Sequence, residues 1–291
     1  MKFTLTKKKL FIKITILIST ITFFCTHNTS LNANDNSNIN RYLNYVFIGG
    51  FSRSGTTLMR SILDVSDEIN CGPESIIIPQ YLDFIQKFNS INQKTLNKAT
   101  KLFINQILID KSKNKFKLSE KLRFYCDKDP DILFFMNYLH TIFPESKFIY
   151  MVRDPRDAVI SYLKHRNVSI SKYFDEYLQK WNLINSIYYE KCKIIGEKYC
   201  IIIKYEHLVN DKQNTIKKVI QFLNITWNDE FLNHENYVGT KIMIDNKEWS
   251  SNQIKENINN RSTLKWKNEN INIRNELVKS LNMFNLFGYS L

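Results

Sequence analysis

A chain of 291 residues, 43% hydrophobic and 13% aromatic, can bury a sizeable core, and only 7 Gly and 5 Pro exclude a collagenous or low-complexity chain. Its formal charge of +13 points to an anionic partner (nucleotide, acidic peptide, nucleic acid or membrane surface), although lysines spread over a solvated surface give the same total. The charges are scattered, and neither RNA-binding nor zinc-finger spacing accompanies them, which argues against nucleic acid.

In chain order, Lys2 and Lys7–Lys8–Lys9 precede an apolar run from Leu10 to Cys25, interrupted only by Lys13. A basic n-region before a short h-region is the pattern of a secretory signal or signal-anchor. As a helix the run spans about 24 Å, short for a ~30 Å hydrocarbon core but adequate with snorkelling lysines. Basic residues on its N-terminal side direct the bulk of the chain across the membrane. The expected organisation is a signal-anchor over 1–26, a flexible Asn/Ser-rich stem over 27–41 and one catalytic domain over 42–291. Cleavage after Ala33 and retention as an anchor both fit this pattern. Cys25 lies in the apolar run, which leaves Cys71, Cys126, Cys192 and Cys200 for two disulfides or four buried thiols in a lumenal domain. No CxxC spacing is present, so no metal site is expected. Sequons at Asn28, Asn167, Asn224 and Asn260 fit lumenal exposure and glycosylation, but an Asn-rich chain also produces them by chance.

Tyr45–Val46–Phe47–Ile48, ending in Gly49–Gly50, reads as a buried strand, and residues 56–64 show helical spacing. Ile76–Ile77–Ile78 is a short apolar run ending at Pro79, and 80–105 follows a helical period. Phe148–Val152 is a second strand, with a turn and a helix from about Ala158. A long amphipathic helix over 173–195 carries Trp181, and Cys200–Tyr205 is a third strand. Residues 206–291 read as helix and loop. Strands alternating with helices predict an α/β fold with a central, mostly parallel sheet flanked by helices.

The most informative stretch, Gly49–Gly50–Phe51–Ser52–Arg53–Ser54–Gly55–Thr56–Thr57–Leu58, lies between that first strand and a helix. Gly50 and Gly55 have P-loop spacing, in which backbone N–H groups and a helix N-terminus cradle phosphate oxygens. A triphosphate loop needs Lys at position 56, and here that residue is Thr. Arg53 inside the loop and two hydroxyls opening the helix suit a smaller anion: a 5′-phosphate bearing one more transferable group, with no metal required. After the second strand, Arg153–Asp154–Pro155–Arg156–Asp157 leads to Ser161, an Arg fork and a hydroxyl suited to a second phosphate.

The first stretch resembles the 5′-phosphosulfate loop of sulfotransferases, and the second is similar to their 3′-phosphate element. Further matches resemble the tyrosylprotein sulfotransferase family. They are Cys71–Gly72–Pro73–Glu74, Cys126–Asp127–Lys128–Asp129–Pro130, Lys180–Trp181–Asn182, Tyr205–Glu206–His207–Leu208, and Glu248–Trp249–Ser250 through Gln253 to Lys265–Trp266. The likeness covers roughly residues 45–291 and implies a P-loop-like sulfotransferase fold, using 3′-phosphoadenosine-5′-phosphosulfate to sulfate tyrosines of secreted or membrane proteins. It implies Glu74 as general base and Arg53, Lys128 and Ser250 as catalytic charge stabilisers. It assigns donor contacts to Arg53, Ser54, Gly55, Thr56, Thr57, Arg153, Ser161, His165, Tyr205, Ser250 and Lys265. It pairs Cys71 with Cys126 and Cys192 with Cys200, favours acidic tyrosine substrates, and implies a Golgi type II membrane enzyme that tends to dimerise. Several positions depart from the pattern. Ile76 stands where the family has an Arg that meets acidic peptides, Pro73 replaces a Glu, and Pro155 replaces a Gly. His165 stands for an Arg with Lys164 and Arg166 beside it, and Ile254–Asn259 lacks a Lys-Pro. A lumenal glycan sulfotransferase, a P-loop kinase or NTPase, and a non-catalytic lumenal binding protein of this fold remain the competing readings. Thr56 disfavours the kinase.

Overall fold

A computed structural model describes residues 44–87, 91–113, 120–245, 254–269 and 274–290. The expected anchor and stem lie outside the described residues, as does Ser250. Among the described residues no helix is long and apolar enough to cross a membrane.

Strand β1 (Asn44–Gly50) runs into helix α1 (Thr56–Asp64), short strand β2 (Ile69–Asn70), α2 (Ile77–Ile85) and α3 (Gln93–Lys113). Strand β3 (Phe124–Lys128), a 3-10 helix (Pro130–Phe135) and α4 (Met136–Ile142) come next. Then follow β4 (Lys147–Val152), α5 (Pro155–His165), α6 (Ile170–Ile195), β5 (Cys200–Lys204), α7 (Tyr205–Asn210) and α8 (Lys212–Leu223). Two further 3-10 segments (Asp229–Tyr237 and Lys265–Asn268), α9 (Asn275–Ser280) and α10 (Asn282–Leu286) follow among the described residues. The five strands form one sheet in the order β2-β3-β1-β4-β5, and every pairing is parallel.

Both faces of the sheet are apolar because parallel strands are covered by helices on each side. Phe47, Tyr125, Phe148 and Tyr150 share one core with Leu139 of α4 and Trp181 of α6. Alternate residues Val46, Ile48, Cys126, Ile149 and Met151 join the other with Ile62 of α1 and Val219 of α8. The period of two that separates these sets also assigns the polar residues of β3. Lys128 follows Cys126 onto the α1 side, while Asp127 lies on the α3 side, where Lys111 pairs with it at 3.0 Å.

Local boundaries differ from the sequence reading for identifiable reasons. The single helical stretch over 80–105 is two helices, and the isoleucine run opens the first of them, because Pro79 sits in the first turn where its missing N–H costs nothing. Helix α5 begins at Pro155 rather than near Ala158, since the Asp154 carboxylate caps the Arg156 N–H at 2.9 Å. Ser161 is therefore in the second turn of α5. Tyr205 starts a helix instead of ending β5.

The polypeptide leaves β1 through Gly50, whose φ is +153° and where an added Cβ would lie 2.2 Å from the Met151 carbonyl oxygen of β4. Gly50→Ala is expected to lower unfolding stability by roughly 2–4 kcal/mol, read as a reduced urea midpoint at unchanged slope.

Candidate active site

Chain direction alone gathers the candidate residues. In a parallel sheet all strands end on one edge, and here the order reverses at β1, whose two neighbours are reached by separate crossovers. Ligands of open α/β sheets bind at such a point, beyond the carboxyl ends of the strands. Glu74 follows β2, Lys128 ends β3, the 51–55 loop follows β1, Arg153 follows β4 and Tyr205 follows β5. A cleft of about 630 Å³ opens there, lined among others by Arg53, Thr56, Thr57, Glu74, Lys128 and Arg153.

The loop after β1 is closed by the Ser54 N–H donating to the Phe51 carbonyl at 3.0 Å. Gly55 adopts φ +91°, and a side chain there would meet the Tyr205 ring at 2.5 Å, so the absence of a Cβ lets the aromatic ring seat against the loop. Helix α1 then starts with no side-chain cap and no acid in its first turn. Its N-terminal peptide groups open onto the cleft through Gly55, Thr56 and Thr57, a ready anion cradle. The Ser54 Oγ is buried with no hydrogen-bond partner. This arrangement can receive a phosphate-like group.

Arg53 and Arg153 meet across the loop. Arg153 donates to the Arg53 carbonyl at 2.9 Å and to the Ser262 carbonyl, and its guanidinium lies 4.7 Å from the Tyr205 ring centre. Its Nε is buried without a partner. The Arg53 Nε donates to Ser161 Oγ at 3.1 Å, which joins the two anion elements into one site. Burial, and then the neighbouring Arg153 charge, push the Arg53 guanidinium below its ordinary value. A half-buried and a buried cation held this close favour an anion between or beside them. Beyond them, the Asp157 carboxylate accepts from the Leu264 N–H at 2.7 Å and the Trp266 N–H at 3.0 Å, while Arg156 stacks on Trp266 at 4.0 Å. This strap brings Lys265 to the cleft wall.

His165 ends α5, where burial, followed by the charges of Arg53 and Arg166, holds its imidazole below the ordinary value. The side chain lining the cleft here is its neighbour Arg166.

At the opposite end, Lys128 Nζ donates to Glu74 Oε2 at 2.9 Å, with Lys128 almost wholly buried and Glu74 a quarter exposed. Disulfide Cys71–Cys126 ties the Glu74 loop to β3, and Cys192–Cys200 ties α6 to β5. A second fastening is absent from the sequence reading. Asp64 accepts from the Cys71 N–H at 2.9 Å and the Gly72 N–H at 3.3 Å, and pairs with buried Arg60 at 3.3 Å. Only the i,i+4 spacing of Arg60 and Asp64 marks them in the sequence, and that spacing ordinarily marks a solvated helix face. Asp127 fixes the same loop by accepting from Ser75 Oγ at 3.2 Å.

Asp129 caps the following 3-10 helix by accepting from the Asp131 N–H. Burial first, then the charges of Asp127 and Glu74, raise its carboxyl from 3.8 to about 7. A raised acid holds its proton in the folded state, so the protein loses stability as pH climbs from near 4 to 7 and the unfolded chain alone ionises. Asp129→Asn, which keeps the cap, is therefore expected to gain about 1–3 kcal/mol over wild type at pH 8 but little at pH 4, measured by chemical denaturation at both values.

The model of the sulfotransferase family matches residues 45–229. The chain is 33% identical over 254 residues to protein-tyrosine sulfotransferase A of Caenorhabditis elegans, covering 82% of this chain and 64% of that protein. It is 34% identical over 239 residues to protein-tyrosine sulfotransferase 2 of Gallus gallus, covering 76% and 62%. The chain thus spans less than two thirds of the length of either relative. Among solved structures, the sulfotransferase domain of the Synechococcus PCC 7002 olefin synthase superposes with a TM-score of 0.61 at 19% identity, covering 86% of this chain and 96% of that domain. The likeness in that case is one of fold.

Proposed function

The chain belongs to the sulfotransferase family, and on that premise we propose that it moves a sulfuryl group from 3′-phosphoadenosine-5′-phosphosulfate to tyrosine hydroxyls of proteins in the secretory pathway. The observation that carries this reading is the Glu74–Lys128 pair set beside an uncapped, basic anion loop in one cleft. The donor carries two anionic ends, and the site has two anion elements joined by the Arg53–Ser161 hydrogen bond. In this reading Arg53, Ser54, Gly55, Thr56 and Thr57 take the 5′-phosphosulfate. Arg153 and Ser161 take the 3′-phosphate, with Tyr205, Lys265 and the 165–166 corner around the nucleotide. Two disulfides fit folding in an oxidising lumen, and the N-terminal basic-apolar pattern supplies Golgi membrane attachment.

A tyrosine hydroxyl, with a pKa of about 10, is a weak nucleophile at neutral pH and gains from a carboxylate within reach. Glu74 takes the phenolic proton as the oxygen–sulfur bond forms. The bond from sulfur to the 5′-phosphate oxygen breaks, and Lys128 and Arg53 neutralise the charge left on that phosphate. Entry of the hydroxyl separates Lys128 from Glu74, so one event frees both groups for their roles. Ser250, assigned to charge stabilisation by the family resemblance, completes the proposed set.

Transfer of radiolabelled sulfate to a tyrosine peptide tests the reading. Glu74→Gln is expected to lower kcat by about 10²–10⁴ with donor affinity retained, and unchanged labelling would sink the base assignment. Arg153→Ala should weaken the donor roughly 10- to 100-fold by calorimetry. The same substitution should barely affect adenosine 5′-phosphosulfate, which lacks the 3′-phosphate. Equal losses for both nucleotides would remove Arg153 from its assigned place. Sulfation of glycan chains and of no tyrosine peptide would transfer the reading to a carbohydrate acceptor.

A further inference from the structure

The wall of the cleft beyond Glu74 does not suit an acidic polypeptide. Ile76, Pro79, Asp129 and Asp131 line it together with Glu74 itself. Three of these five residues are carboxylic acids, and burial raises the carboxyls of both Asp129 and Asp131. The lysines at this end are already engaged, Lys128 with Glu74 and Lys111 with Asp127. The cations Arg166, Arg261 and Lys265 belong to the nucleotide side, where Arg153 bonds the Ser262 carbonyl and Asp157 straps 264–266. Burial thus favours the neutral form of these two acids, and among the described residues this wall offers an acidic flank no cation that is not already paired.

Ile76 is the unusual residue of this wall. It is 51% exposed, its neighbour Ile77 is 45% exposed, and neither contributes its outer surface to the core. It also adopts φ +57° with ψ −40°, outside the left-handed helical well, a conformation that a β-branched side chain occupies only under constraint. The constraint is visible on both sides: the Ser75 hydroxyl is fastened to Asp127, and α2 starts at Ile77. The local fold thus holds a large apolar side chain, two residues from the carboxylate at the centre of the site, in a position that core packing does not require.

We propose that Ile76 determines acceptor specificity, and that the acceptors are tyrosine segments carrying an apolar side chain beside the target residue, without acidic flanks. This rests on the tyrosine-sulfating reading of the same site. Ile76 loses its exposed surface against the apolar neighbour of the target tyrosine, and anionic flanks find no unengaged cation among the described residues of this wall.

The test is a pair of peptides of equal length, each with one tyrosine, flanked in one by leucine and valine and in the other by aspartate and glutamate. Wild type is expected to favour the apolar peptide at least about fivefold in kcat/KM. Ile76→Arg should shift that ratio toward the acidic peptide by about tenfold or more, since it adds a cation and removes the apolar surface. Ile76→Asn, which removes the apolar surface without adding charge, should abolish the apolar preference without creating an acidic one. Thermal melting checks that each variant is folded, and the asparagine variant stands in should the arginine variant fail to fold. A wild-type preference for the acidic peptide, or a ratio unmoved by both substitutions, overturns this inference while leaving tyrosine sulfation intact. Transfer to neither peptide with donor binding preserved overturns both.

Discussion

The parallel direction of five strands is the constraint from which the site follows. Each strand delivers its C-terminal residue, or the loop after it, to the same edge of the sheet, so β2, β3, β1, β4 and β5 bring up Glu74, Lys128, the anion loop, Arg153 and Tyr205 in turn. Side chains separated by more than a hundred residues become neighbours without any long excursion of the chain. Reversal of strand order at β1 leaves a crevice in the middle of that edge, and the loop after β1 occupies it.

Placing these groups together opposes the tendencies that stabilise the rest of the protein. Arg53 and Arg153 repel one another in a half-buried setting, Ser54 and the Arg153 Nε have polar atoms without partners, and Asp127, Asp129 and Glu74 crowd at the far end. Rigid fastenings hold the arrangement: a disulfide and the buried Arg60–Asp64 pair at one end, and the Asp157 strap over 264–266 at the other. A buried ion pair contributes little net stability when its desolvation is counted, but breaking one partner is costly, which suits a part whose purpose is position. An anion bound at the loop would relieve the Arg53–Arg153 repulsion and so stabilise the folded state.

Local features were legible in the sequence and distant ones were not. β1 and β4 announce themselves as apolar runs because both faces of a central parallel strand are buried, and the edge strand β5 does so through its Cys-Ile-Ile-Ile run. β3 is equally buried but reads Phe-Tyr-Cys-Asp-Lys, and the two charged residues that hide it belong to the site. β2, two residues long, leaves no periodic signal. Both anion elements could be read from strand–turn–helix spacing, whereas the Arg53–Ser161 bond uniting them spans 108 positions. Arg60 and Asp64 look like a surface pair in sequence, and only the packing of α1 against the sheet buries them completely. The strain at Ile76 depends on where Asp127 holds Ser75, information that no window around Ile76 contains.

The Cys71–Cys126 bridge joins the segment bearing Glu74 to the strand bearing Lys128, two parts of the chain 55 residues apart. In a reducing compartment those two groups would ride on separate tethers, aligned only by hydrogen bonds. Oxidation of this pair thus fixes the Glu74 segment against β3 covalently. A chain whose thiols stay reduced would keep Glu74 and Lys128 yet lose the covalent part of their alignment.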